Sequence, residues 1–115
     1  LDLVALRYAC RINGVDEIAV TKLDVLDTFS MIKVCVGYRL NGKELTEVPL
    51  DPSAFWHVKP LYKEFDGWVS STAGLCDFEN LPTNARKYLE YIAADLGVKI
   101  GIVSTGAGRE ETIIV

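Results

Sequence analysis

The chain has 115 residues, half of them hydrophobic types, and a formal charge of −4 at neutral pH. That length supports one modest core and is too short for two ordinary domains, so a single globular unit is expected. With no long apolar run, no basic-then-apolar leader and no Lys/Arg cluster in the sequence, neither a membrane nor a nucleic acid is expected as a partner.

Asp2 is a fitting N-cap for a helix over Leu3–Asn13, and Gly14 stands where a left-handed residue ends a helix. That segment is apolar on more than one face, which suits burial in a larger protein. The chain begins with Leu rather than Met, and a fragment is expected. Glu17–Thr21 reads as a short buried strand with the β-branched pair Ile18 and Val20, and Met31–Leu40 reads as a second. Asn41-Gly42 is a strong hairpin signal leading into Lys43–Val48.

Pro49–Pro60 is a connection, with a helical turn expected after Asp51-Pro52. Lys59–Trp68 supplies a further strand, and Ser70–Gly74 is a polar loop whose hydroxyls are expected to form turns. The clearest helix is Pro82–Leu96, with Pro in its first turn, Gly97 after it, and Ala85, Tyr88, Leu89, Ile92 and Leu96 on one side. Val98–Val103 is a strand, Ser104–Gly108 a glycine-containing loop, and Thr112–Val115 a last strand. The pattern is mixed α/β, with a hairpin region inserted between two strand-then-loop units.

Cys10, Cys35 and Cys76 are widely spaced and odd in number, so reduced thiols and a cytoplasmic setting are expected, with Cys10 and Cys35 buried among apolar neighbours. His57 has no second His and no visible nucleophile, and a structural or surface role is expected for it.

Two loops carry candidate chemistry. Thr21-Lys22-Leu23-Asp24 follows an apolar strand, at the strand end where ligands of α/β sheets sit. A carboxylate there can accept hydrogen bonds from the N1 and N2 donors of guanine while the Lys stem covers the ring. Adenine offers no such pair, and each hydrogen bond to a charged group contributes roughly 1.5–3 kcal/mol. The competing reading is a solvated turn. Ser104-Thr105-Gly106 can bring backbone N–H groups toward guanine O6, although residue pattern alone favours an ordinary turn. Gly37–Lys43 fits the opening of a phosphate-binding P-loop, but Glu44 replaces the required Ser or Thr and would face the phosphates with a carboxylate.

The wider text resembles the C-terminal part of adenylosuccinate synthetase over essentially the whole chain. The resemblance rests on Leu3–Tyr8 with Asn13-Gly14, Thr21–Asp27, Ile32-Lys33-Val34, Gly67-Trp68 with Thr72, Leu81-Pro82 with Asn84–Tyr88, and Ser104-Thr105-Gly106 with Gly108-Arg109. It implies a fold that is the C-terminal part of a P-loop-NTPase-like mixed sheet, with flanking helices and an inserted β-hairpin region. It further implies GTP-dependent ligation of IMP and L-aspartate to adenylosuccinate, by phosphoryl transfer to the IMP 6-oxygen and displacement by the aspartate amine.

By the same resemblance, Lys22, Leu23 and Asp24 form the guanine motif, and Ser104, Thr105 and Gly106 form the second base-side segment. No catalytic residue or magnesium ligand falls in this chain, so GTP and Mg2+ would meet the chemistry elsewhere in a homodimeric enzyme, and the isolated segment is expected to be inactive. Ala107 and Asp66 depart from the prolines usual in the family and should loosen their loops. Arg109 is expected to pair at the surface with Glu110 or Glu111. Two other classes remain: a guanine-nucleotide switch domain, disfavoured by the wide spacing from Asp24 to Ser104, and a non-enzymatic α/β interaction module with a chance Lys-x-Asp.

Overall fold

The computed structural model describes residues 1–115. Helix α1 (Leu3–Asn13) starts where Asp2 Oδ1 accepts from the backbone N–H groups of Val4 (2.9 Å) and Ala5 (3.2 Å), and it ends at left-handed Gly14. Strand β1 (Glu17–Val20) follows, then β2 (Met31–Leu40), β3 (Lys43–Leu45) and β4 (Lys59–Asp66). Helix α2 (Thr83–Leu96), β5 (Lys99–Ser104) and β6 (Thr112–Ile114) complete the regular elements. No helix is long and apolar enough to cross a membrane.

The mixed α/β character is as expected, with the strands divided between two three-stranded sheets. In one, β5 lies between β1, its parallel neighbour, and β6, its antiparallel neighbour. The other is fully antiparallel in the order β3-β2-β4 and contains the inserted hairpin. Asn41 (φ 51°) and Gly42 (φ 80°) are both left-handed, and Leu40 pairs with Lys43. That two-residue turn matches strand twist, which is why Asn-Gly was legible.

Strand ends moved for local reasons. β1 stops at Val20 rather than Thr21 because Lys22 turns left-handed at φ 56°. β3 stops at Leu45, well before Val48, and the Thr46 carbonyl accepts from Arg7 Nη2 at 3.0 Å instead of extending the ladder. β4 gives way at Gly67, whose N–H donates to the Ser30 carbonyl at 2.9 Å. A side chain there would collide with the Phe29 carbonyl oxygen.

The main core lies between α2 and the two sheets, where Ile32, Val34, Leu89, Ile92, Val103 and Ile113 are all buried. Of the expected face of α2, Ala85, Tyr88, Leu89 and Ile92 are buried and Leu96 packs against them half-buried. A smaller cluster joins Val4 of α1 to Cys35 and Tyr38 of β2. Arg7 links three regions: its Nη1 lies 2.8 Å from both carboxylate oxygens of Asp95 on α2, and its Nη2 reaches the carbonyls of Val36 and Thr46. The other face of α1 carries Tyr8 and Ile12 into the open, 45% and 61% exposed. All three cysteines are free, Cys10 and Cys35 buried and Cys76 exposed. His57 is exposed on a short helical turn, Ala54–His57, which follows the Asp51–Ser53 turn as expected.

Candidate functional site: two strand-end loops and a groove

Parallel pairing of β1 with β5 matches Val20 to Val103, so both strands end at the same edge of their sheet. The chain ends that follow therefore leave side by side, although the residues that join them are 82 positions apart: the Lys22 backbone N–H donates to Ser104 Oγ at 3.0 Å. A left-handed Lys22 reverses the chain, and Leu23, 1% exposed, sinks into the main core. Its burial fixes the start of a single helical turn, Leu23–Leu26, closed by the Asp27 N–H donating to the Asp24 carbonyl at 3.1 Å.

Asp24 is half-buried and its Oδ1 is sealed from solvent without a hydrogen-bond partner. Buried carboxylate oxygens are normally paired, because an unpaired one forfeits hydration without replacement. An open groove of about 530 Å3 adjoins Asp24 and is lined by Asp27, Thr28, Val69, Ser70, Ser71 and Ala73. Lys22 and Leu23 border a separate, mostly apolar cavity of about 450 Å3, together with Leu6, Ile18, Tyr88 and Ile92.

The second loop is held from below. Thr105 is completely buried, its N–H donates to the Glu111 carbonyl at 2.7 Å, and its Oγ1 lies 2.9 Å from the Leu75 carbonyl. Glu111 also accepts from the Gly108 N–H at 2.9 Å, and that carboxylate occupies the space a side chain on Gly106 would need. The loop is thus tied at Thr105 and Gly108 even though Ala107 lacks the ring of a proline. Arg109 is exposed but forms no ion pair, contrary to the expected pairing with Glu110 or Glu111. Glu111 is turned inward to cap Gly108 instead.

The six expected site residues are therefore joined at one edge by one hydrogen bond, from the Lys22 backbone N–H to the Ser104 side chain, and they do not line one cavity. Lys22 and Leu23 border the apolar cavity, Asp24 borders the groove, and Ser104–Gly106 line neither. Sequence reasoning assigned no role to Asp27, whose carboxylate holds the far wall of the groove. Trp68 Nε1 donates to Asp27 Oδ1 at 2.7 Å, the Thr72 N–H to Oδ2 at 2.7 Å, and Thr72 Oγ1 to Oδ1 at 2.8 Å. Thr72 is wholly buried, so its hydroxyl is a cross-link rather than a local turn former; Ser71 Oγ fills that second role, accepting from the Ala73 N–H at 3.3 Å. The available signal was Trp68, since a buried indole N–H needs an acceptor.

No three His, Cys, Asp or Glu side chains come together here in a group that could by itself hold a metal ion.

The geometry defines a mixed α/β unit in which paired parallel strands present two loops at one edge, beside a groove with an unpaired carboxylate oxygen. The family model for adenylosuccinate synthetase matches residues 1–113. The chain is 49% identical over 114 residues to the adenylosuccinate synthetase of Thermodesulfovibrio yellowstonii, covering 99% of this chain and 27% of that protein. It is 50% identical to that of Nitrosococcus oceani, covering 99% of this chain and 26% of the relative. A solved structure, fully ligated adenylosuccinate synthetase from Plasmodium falciparum, superposes with a TM-score of 0.93 at 32% identity, across 100% of this chain and 28% of that one. This chain belongs to the adenylosuccinate synthetase family, and it spans about a quarter of the length of these relatives.

Proposed function

We propose that the chain supplies the guanine-binding loops of a GTP-dependent ligase that joins IMP and L-aspartate into adenylosuccinate, with GDP and phosphate as the other products, on the route to AMP. The observation that carries the reading is the buried, unpartnered Oδ1 of Asp24 on a loop tied to Ser104. A guanine edge has the two adjacent N–H donors that such a carboxylate lacks. In this reading Asp24 selects the base, Lys22 covers it, Leu23 anchors the motif, and Ser104, Thr105 and Gly106 form the O6 side.

The small mixed sheet is proposed to be the edge of a larger P-loop-NTPase-like sheet, and the full enzyme to act as a cytoplasmic homodimer. Three free thiols fit a reducing compartment. Magnesium and the residues that hold IMP, aspartate and the phosphates belong to other parts of the polypeptide in this proposal. What residues 1–115 contribute is orientation: phosphoryl transfer depends on positioning and charge stabilisation, and a fixed base fixes the distal phosphates.

The test is adenylosuccinate formation by the full-length protein from IMP and aspartate. Turnover with GTP and little with ATP is expected. Equal use of both nucleotides, or none of either, overturns the assignment.

A further inference from the structure

We infer that Asp27 is a positioning residue for the base site, holding residues 68–73 as the wall of the groove that faces Asp24. The inference rests on the proposed guanine role of Asp24 and adds a third chain segment to the two loops already described.

Three observations converge on it. First, Asp27 spends both carboxylate oxygens on one loop, accepting from Trp68 Nε1, the Thr72 N–H and Thr72 Oγ1. The donors flank the stretch that borders the groove, namely Val69, Ser70 and Ser71. Hydrogen bonds to an ionised acceptor are short and strong, and three on one carboxylate leave it little freedom.

Second, Val69 sits at φ 43°, a region that a β-branched residue adopts only when its surroundings impose it. Its neighbours on both sides impose it: Trp68 before it and Thr72 after it are both buried and both bonded to Asp27. The result is an apolar side chain, 62% exposed, held out at the groove beside the hydroxyl-bearing Ser70 and Ser71.

Third, Asp27 and Asp24 belong to one helical turn closed by the bond between the Asp27 N–H and the Asp24 carbonyl. The carboxylate that holds the wall and the one that reads the base thus stand on the same turn, so loosening the hold of Asp27 on Trp68 and Thr72 changes the spacing between wall and base-reading group. The groove so formed has an apolar face for a ring, hydroxyls for polar atoms, and one unpaired buried acceptor, which suits a purine carrying adjacent N–H donors.

The experiment uses the full-length enzyme and steady-state kinetics with GTP, IMP and aspartate varied in turn, alongside thermal unfolding. Thr72→Val removes one donor to Asp27 at nearly constant volume, Asp27→Asn weakens the whole set, and Thr72→Ser keeps the hydroxyl. The expected result for Thr72→Val and Asp27→Asn is a KM for GTP raised about tenfold, as the groove wall loses its fixed spacing to Asp24. The KM values for IMP and aspartate and the kcat should stay within about twofold, and Thr72→Ser should restore the KM for GTP.

An unchanged KM for GTP in Thr72→Val overturns the inference. So does a rise in all three KM values together with a lowered unfolding temperature, which marks a merely structural link. Should Asp27→Asn fail to fold, the Thr72 pair decides alone. Failure of the base-site reading shows separately, as Asp24→Asn leaving nucleotide preference unchanged; that result removes the groove's assignment and this inference with it.

Discussion

The Lys22 backbone N–H and Ser104 Oγ, 3.0 Å apart, join the ends of two parallel strands. Ser104→Ala deletes the acceptor while leaving both strands intact. The Lys22 N–H is at an exposed position and can turn to water, so the cost to stability is expected to be small, about 0.5–1 kcal/mol. The KM for GTP should rise several-fold with that for IMP unchanged, because what loosens is the relative placement of the two loops. Substrate-by-substrate kinetics on the full-length protein check this.

Asp24→Asn replaces a carboxylate with one acceptor and one amide donor. Guanine offers donors at both N1 and N2, so its binding is expected to weaken about tenfold or more. Xanthine presents a carbonyl in place of the N2 amine, and the new amide can donate to it. Turnover should therefore shift toward xanthosine triphosphate, read as the ratio of kcat/KM for the two nucleotides.

Tyr38 predicts an alkaline limit. Its hydroxyl donates to Asp2 Oδ2 beneath α1, and burial, then the Asp2 hydrogen bond and charge, push its pKa well above the usual phenol value. Burial first, and the Asp2 charge second, raise Cys35 in the same cluster. A pKa raised on folding means that the native state binds the proton more tightly. The associated stability is complete below the unfolded-state pKa values, about 8.5 for the thiol and about 10 for the phenol, and it is lost as pH climbs toward the folded ones. Denaturant midpoints should fall above about pH 9, and Tyr38→Phe should flatten the phenol's share of the decline while costing about 1 kcal/mol at neutral pH.

Gly67→Ala should destabilise the protein by roughly 2–3 kcal/mol, since its Cβ meets the backbone carbonyl of Phe29 and no side-chain rotation relieves that. Chemical denaturation measures it. The loss should exceed that for Gly42→Ala, where the added methyl meets open space and only the left-handed backbone is penalised.

Purified residues 1–115 should form no adenylosuccinate. The single stretch that imitates a phosphate loop, Gly37–Lys43, is the end of β2, a tight turn and the first residue of β3. A hairpin of that kind has its backbone N–H groups committed to a ladder and cannot wrap phosphates. A coupled assay for product with GTP, IMP and aspartate decides the matter.

Where local chemistry determines structure, the sequence was readable. Asp2 and Gly14 bracket α1, Asn41-Gly42 makes the hairpin, and Gly97 stops α2, each because one residue type suits one backbone geometry. Lys22–Asp24 was legible as a strand-end loop for the same reason, whereas Ser104, expected to open the second loop, is the last residue of β5 and pairs with Thr112 of β6. What could not be read depends on residues far apart in the chain. Arg7 reaching Asp95, Glu111 turning inward to Gly108, and Asp27 gathering Trp68 with Thr72 are tertiary choices among many surface partners. The inward turn of Glu111 also removes one of the two partners expected for Arg109. The division of strands into two sheets was likewise hidden, because a period-two pattern shows that a strand is half-buried without showing which neighbour it takes.

The contact between Lys22 and Ser104 closes a loop of 82 residues, and this has a kinetic consequence. During synthesis the Asp24 motif emerges long before β5 exists to pair with β1, so the nascent chain carries a base-reading sequence without a base site. Joining the two halves costs the closure entropy of everything between them and ranks among the slower, non-local steps of folding. The antiparallel sheet β3-β2-β4 lies wholly within that interval. Folding it first shortens the effective loop, giving the inserted hairpin region a part to play in assembling a site that it does not touch.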